Sequence, residues 1–208
     1  LEDFDPETES IDEFYRFVDA VMDYIFNLTF RQLPSHLDMY EVCSLLPNLT
    51  ALNVSYGVTK IGMQYERMLF GMKISDATAL AKTFDATDSL TTVIMQSNMI
   101  DDDLLRMLMT GLIKNNTITY LDVSHNKITN HGARLLSKLL GDNSVITTLD
   151  LSDNELRDPG VTAIAQLVTS LKHGLRELDL SECHATSRGT AALLGAMKAG
   201  GARVCSQL

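Results

Sequence analysis

Five stretches of the chain place apolar and polar residues in one shared frame: LTALNVSYG (49–57), LTTVIMQSN (90–98), ITYLDVSHN (118–126), ITTLDLSDN (146–154) and LRELDLSEC (175–183). All fit LxxLxLxxN with conservative swaps. Their last positions, Gly57, Asn98, Asn126, Asn154 and Cys183, recur at a nearly constant interval after one longer first step. The LxLx alternation predicts a short strand that turns Leu121 and Val123, or Leu149 and Leu151, to one side and Asp122 and Asp150 to the other. Six positions past the Asn or Cys, Gly132, Gly160 and Gly189 open the stretches 132–140, 160–168 and 189–197, whose apolar residues recur every three or four positions. That spacing predicts a helix with one buried face. One strand-and-helix unit cannot bury its own apolar side, whereas a stack of units shares a continuous core. The predicted fold is therefore α/β: a curved solenoid with parallel strands inside and helices outside.

The upstream pattern differs. Ser10 and Glu13 form a capping box, and Ile11, Phe14, Val18, Val21, Met22, Ile25 and Phe26 predict one apolar face over about five turns. Pro34 separates this helix from a shorter one, roughly 37–46, which Pro47 ends. A solenoid exposes an apolar end unless something covers it, so residues 1–47 are expected to form an acidic segment with an N-terminal helical cap. Residues 48–208 are expected to form a repeat domain of about five repeats. Its first repeat is longer than the others, and the surplus falls at 58–75, where Met63, Tyr65, Met68, Leu69, Phe70 and Met72 lie between or beside Gly62 and Gly71. Insertions map to one face of a solenoid, and a Met-rich aromatic surface adapts to partners. Folding back onto the cap is the other expectation for this loop. Val204 follows Leu175 at the same interval that separates Leu175 from Ile146, where a further strand would begin, so repeats or a cap are expected beyond residue 208.

Charge sharpens the picture. The formal net charge is −10, and residues 1–24 hold nine acids against Arg16 alone. Neither this segment nor the nearly neutral remainder has the basic balance that phosphate backbones require, which argues against nucleic acid. No apolar run suits a membrane span, and Cys43, Cys183 and Cys205 offer neither a disulfide framework nor a zinc site. The expected compartment is reducing.

Candidate chemistry is thin. His36, His125, His131, His173 and His184 are never spaced as HxxxH, and phosphate loops, GxGxxG and GxSxG elbows are missing. Asp101, Asp102 and Asp103 sit where a helix should start, a place that favours acids. The sequons at Asn27, Asn48, Asn53 and Asn115 lack a secretory signal beside them. No enzyme, cofactor or metal is expected. The expected structural ladder is Asn98, Asn126, Asn154 and Cys183, whose side chains can satisfy backbone groups at the turn after each strand. Outward strand positions line up as Asn53, Ile94, Asp122, Asp150 and Asp179, beside Ala51, Thr92, Tyr120, Thr148 and Glu177. The candidate partner-binding residues are thus Asp122, Asp150, Glu177 and Asp179 on the concave face, with Met63, Tyr65, Met68, Phe70 and Met72 in the insertion. An acidic face implies a basic partner; a repeat signature with no specific partner is the alternative.

These spacings and the shared Asn, Gly and Leu positions resemble the ribonuclease-inhibitor-like class of leucine-rich-repeat proteins over roughly residues 45–203. A narrower resemblance, to leucine-rich-repeat subunits of the dynein regulatory complex of motile cilia, rests on LPNLTALNVSYG (46–57), GMQYERMLFGM (62–72) and IDDDLLRMLMTGL (100–112). It implies a non-enzymatic adaptor of the axonemal nexin–dynein regulatory complex, in the cytoskeleton of cilium or flagellum. Its implied partners are coiled-coil scaffold subunits and neighbouring repeat proteins of that complex. Cys183 departs from the usual Asn. The acidity of the chain argues against a direct grip on tubulin, whose surface is also acidic. Regulation of a small GTPase, with Arg106, Arg134 or Arg157 as a stimulating group, and ligand sensing are the other functions weighed for such a solenoid.

Overall fold

The computed structural model describes residues 11–33, 37–56, 71–141, 145–171, 174–200 and 205–207. Helices and strands alternate: α1 (Ile11–Val21), β1 (Asn27–Leu33), α2 (Met39–Ser44), β2 (Ala51–Tyr56), α3 (Ile74–Ala86), β3 (Thr92–Ile94), α4 (Asp102–Leu112), β4 (Tyr120–Asp122), α5 (Asn130–Leu140), β5 (Thr148–Asp150), α6 (Arg157–Ser170), β6 (Glu177–Asp179), α7 (Ser187–Gly200) and β7 (Cys205–Gln207). The strands form one parallel sheet in sequence order. From α2 onward each helix packs on the next along the other side. Parallel strands sit about 4.8 Å apart and packed helices about 8–10 Å apart, so strands must take the inner radius of the stack. The α/β leucine-rich-repeat solenoid expected from the repeats is the observed fold.

The core is one continuous cluster from Val18 to Leu193. Leu52 and Val54, Val93 and Met95, Leu121 and Val123, Leu149 and Leu151, and Leu178 and Leu180 supply the strand side, all at most 2% exposed. Leu80, Phe84, Leu105, Leu108, Leu136, Ile164 and Leu193 supply the helix side. Close helix packing requires glycine at one crossing: a Cβ on Gly111 of α4 would overlap the Ala81 carbonyl of α3. The strand exits run through left-handed backbone at Ser97, His125, Asp153 and Glu182, each the residue before a ladder position. This turn aims the following side chain back under the sheet.

The N-terminal region departs from expectation in one respect. The helix predicted through Phe26 ends at Val21, followed by a single 3-10 turn at Met22–Tyr24, and Asn27–Leu33 is a strand. Leu28 and Phe30 point inward, 1% and 6% exposed, while Thr29 between them is half-buried. Leu28 pairs with Leu52 in register. Thus Ile25, Leu28 and Phe30 are a degenerate LxxLxL, set closer to its successor than the regular repeats are to one another. The sheet begins inside the segment expected to hold the acidic run and the capping helices. Phe26, assigned to the apolar helix face, is instead 51% exposed. Helix α1 covers this end through Val18, with Tyr15, Met22 and Ile25 packed beside it. At the other end, β7 pairs with β6 where the further strand was expected.

Candidate functional site

Two ladders hold the strands in register at their ends. At the exits, Asn126 Nδ2 donates to the carbonyls of Met95, Val123 and Ser124, and its Oδ1 accepts from the amides of Asn98 and Ile100. Asn154 donates to Val123, Leu151 and Ser152 and accepts from Ile128 N–H. Asn98 donates to Val54 and accepts from Tyr56 N–H. Cys183 donates only to the Leu151 carbonyl, at 3.1 Å from Sγ, and its sulfur takes the Asn154 N–H. At the strand starts a second ladder was not foreseen. The hydroxyls of Thr50, Thr91, Thr119 and Thr147 donate to the carbonyls of Phe26, Thr50, Thr91 and Thr119, each ahead of the preceding strand. The signal was present: threonine recurs immediately after the first apolar position of these repeats.

This scaffold stacks the concave side chains in register. Tyr120, Thr148 and Glu177 form one column, and Ile94, Asp122, Asp150 and Asp179 another. Serines two positions on fasten the acids: Ser152 donates N–H and Oγ to Asp150 Oδ1, and Ser181 does the same to Asp179. Burial, and the like charges of Asp122 and Asp179, raise the Asp150 pKa above its ordinary value, against the lowering by the Ser152 bonds. Burial first, then the carboxylates of Asp122, Asp150 and Glu177, likewise raise the Tyr120 phenol.

Asp122 is corrected. Expected to face outward, it is only 2% exposed, because the Gln96 amide covers Asp122 Oδ2 and the Ser124 N–H holds its other oxygen. Gln96 occupies the column next to the acids, where other repeats have serine, and its longer side chain reaches the neighbouring strand. Asp150 and Asp179 remain half-buried and Glu177 is exposed, so the open negative surface lies at the β5–β6 end. Met72 is a core residue at 6% exposure. Met63, Tyr65, Met68 and Phe70 lie outside the described residues.

Of the Asp triplet, Asp101 caps α4 by accepting from the amides of Asp103 and Leu104, and Asp103 pairs with Arg106 at 3.1 Å on the surface. Asp102 reaches the next repeat, accepting from the N–H and hydroxyl of Thr129. His125 Nδ1 meets Asp153 Oδ2 at 2.7 Å, an exposed pair between adjacent repeats. His36 and His173 lie outside the described residues. Among the described residues no group of His, Cys, Asp or Glu has the geometry to hold a metal ion. Burial raises the Cys43 thiol to about 12 and the Cys183 thiol to about 11, leaving both protonated and weakly nucleophilic at neutral pH. Among the described residues no helix is long and apolar enough to cross a membrane.

A family model described as Leucine Rich repeat matches residues 114–137 and 142–165. The chain is 40% identical over 108 residues to a protein of Chlamydomonas reinhardtii named dynein regulatory complex subunit 5, covering 51% of this chain and 28% of that protein. It is 34% identical over 91 residues to the Mus musculus protein of the same name, covering 44% of this chain and 18% of that one. The match thus spans less than a third of either relative. Among solved structures, leiomodin-1 actin-binding site 2 shares the fold, with a TM-score of 0.56 at 18% identity over 66% of this chain and 82% of that one.

Proposed function

We propose, from the premise that this chain is a leucine-rich-repeat protein similar over half its length to dynein regulatory complex subunit 5, that it is a non-enzymatic adaptor of the ciliary dynein regulatory complex. The observation that carries this reading is the 40% identity to the Chlamydomonas protein. The geometry suits the role. In-register ladders make a stiff sheet, and that sheet presents Asp150, Glu177 and Asp179 as a fixed negative surface. Such a surface selects basic partners more than it adds raw affinity. The partners we assign are coiled-coil and neighbouring repeat subunits of the complex. They would meet the negative surface and the 58–75 insertion, bringing the chain to the nexin–dynein link of the axoneme without a direct grip on tubulin.

The test is expression of the tagged chain in a ciliated cell, followed by detergent extraction and co-precipitation. Retention in the axoneme with regulatory-complex subunits is expected. Diffuse cytoplasmic signal, or stoichiometric binding of the purified chain to bare microtubules, refutes the reading. Phe70→Asp and Met68→Asp are expected to weaken co-precipitation while circular dichroism stays unchanged; unaltered co-precipitation removes the insertion from the contact.

A further inference from the structure

The outer faces of α3, α4 and α5 carry positive charge where the concave face carries negative. Two positions recur on these successive helices, one repeat apart and exposed: Thr78, Arg106 and Arg134 in one row, Lys82, Thr110 and Lys138 in the other. Half-buried Thr162 and exposed Gln166 continue the rows on α6. Neither row contains an acid. Neighbours within a row stand about 8–10 Å apart, the spacing of packed helices, and Arg134 and Lys138 lie one turn apart on one face of α5. Like charges at that separation weaken a helix, and α5 has no acid of its own to offset them.

The acids nearby are already engaged. Asp103 pairs with Arg106 at 3.1 Å and Asp85 with Lys114 at 3.6 Å, both at the surface. Asp102 accepts from Thr129, and Asp101 caps α4. Among the described residues Lys82, Arg134 and Lys138 have no carboxylate partner, and Lys82 lies 6.0 Å from the centre of the Tyr40 ring instead. Between α3 and α4 the surface holds a groove of about 300 Å³, with Lys82 and Lys114 on its walls beside half-buried Met107. At its base are Ala81 and Gly111, where the two helices meet backbone to backbone.

Charge complementarity points to an acidic occupant. A nucleic acid would bring a continuous polyanion against a chain of net charge −10. A second copy would have to set its own acids against this face, a heterologous contact that builds rings or fibres and not a closed pair. A Glu-rich amphipathic segment satisfies both features of the surface: its carboxylates meet Arg106, Arg134 and Lys138 while an apolar side chain enters the groove beside Met107. We infer that the outer face of α3, α4 and α5, built on Lys82, Arg106, Arg134 and Lys138, is a docking surface for an acidic segment of another protein. It lies on the helix side of the solenoid, opposite Asp150, Glu177 and Asp179, so one chain can join an acidic partner to a basic one. The assignment stands whether or not the chain acts in the dynein regulatory complex.

The test uses the purified full chain and a fluorescent four-turn Leu/Glu amphipathic peptide, with the Leu/Gln peptide as its uncharged counterpart. Anisotropy at low ionic strength is expected to detect saturable binding of the Leu/Glu peptide only, weakened by added salt. Binding is expected to be about tenfold weaker for Arg134→Gln/Lys138→Gln, weaker in the same direction for Lys82→Gln on another helix, and no weaker for Asp150→Asn/Asp179→Asn. Arg134→Lys is expected to keep the affinity, because the row supplies charge and not a guanidinium fork. Circular dichroism is expected to stay unchanged in all variants. Equal binding by the Arg134/Lys138 double variant, equal binding of the Leu/Gln peptide, tighter binding of a duplex DNA oligonucleotide than of the Leu/Glu peptide, or self-association that the double variant abolishes would each overturn the assignment.

Discussion

Asp158, in the first turn of α6, holds the chain just ahead of α7 by accepting from both the N–H and the hydroxyl of Thr186 at 2.7 and 2.6 Å. The same carboxylate accepts from Gly189 N–H, and Asp102 makes the two threonine contacts two repeats earlier, with Thr129. One repeat thus caps the helix of the next. Hydrogen bonds from Thr186 lower the Asp158 pKa below its ordinary 3.8. A depressed carboxylate contributes its stability above the ordinary value and loses it as pH falls through the depressed one. Asp158→Asn should therefore lower the thermal midpoint at neutral pH, and the gap to the parent should close as pH falls below the ordinary value. A gap that does not depend on pH would show that the charge plays no part.

Gly111 and Gly195 make an internal pair of opposite sign. Alanine at 111 would press its methyl into the Ala81 carbonyl and push α3 from α4, a misfit of about 1–3 kcal/mol. At 195, inside α7, a Cβ meets nothing within 4 Å, and alanine should stabilise the helix by about 0.5–1 kcal/mol. Urea unfolding of the two variants checks both signs. Equal effects would mean that helix propensity, and not the α3–α4 approach, governs both sites.

The repeats were legible because they combine two periods, two along the strand and three to four along the helix, at a nearly constant interval. Strand β1 escaped notice because it follows a strong helical pattern and stands closer to β2 than the regular interval allows, so Ile25 and Phe26 read as a continuation of the helix. Its signal, Leu28 and Phe30 around Thr29, is only one alternation long. The burial of Asp122 was not readable from its own repeat. It depends on Gln96, in the preceding repeat, reaching across from the neighbouring strand.

Asp150 provides the reverse pH behaviour to Asp158. Its raised pKa, from burial and from the like charges on either side, means that the folded state disfavours the ionised form. The penalty is complete above that raised value and is relieved as pH falls toward the ordinary carboxylate range. Asp150→Asn retains an acceptor for Ser152 and removes the middle charge of the column. Its thermal midpoint should exceed the parent's at neutral pH, with the advantage shrinking on acidification. A lower midpoint at neutral pH would mean that the ionised carboxylate contributes more through Ser152 than repulsion removes.

Cys183 is the weak rung of the exit ladder. Asn126 and Asn154 each donate to three carbonyls, whereas the Cys183 thiol donates to Leu151 alone, and a weakly accepting sulfur takes the Asn154 N–H where the other exits offer an amide oxygen. The site is otherwise equivalent: 1% exposed, preceded by left-handed Glu182, and one repeat beyond Asn154. Asparagine differs little in volume and can donate to carbonyls at this exit as Asn154 does. Cys183→Asn should then stabilise the chain by about 1 kcal/mol, the net yield of one or two buried hydrogen bonds. A gain of that size raises the midpoint by roughly 2–4 °C in a chain of this length. Asn126→Ala is the opposite experiment. It leaves several buried backbone groups without partners and should cost about 3 kcal/mol or more. Scanning calorimetry on both variants reads the two shifts together. If Cys183→Asn lowers the midpoint, the backbone after β6 differs from the earlier exits enough that an amide no longer fits; if Asn126→Ala is tolerated, the ladder is not what holds the strands in register.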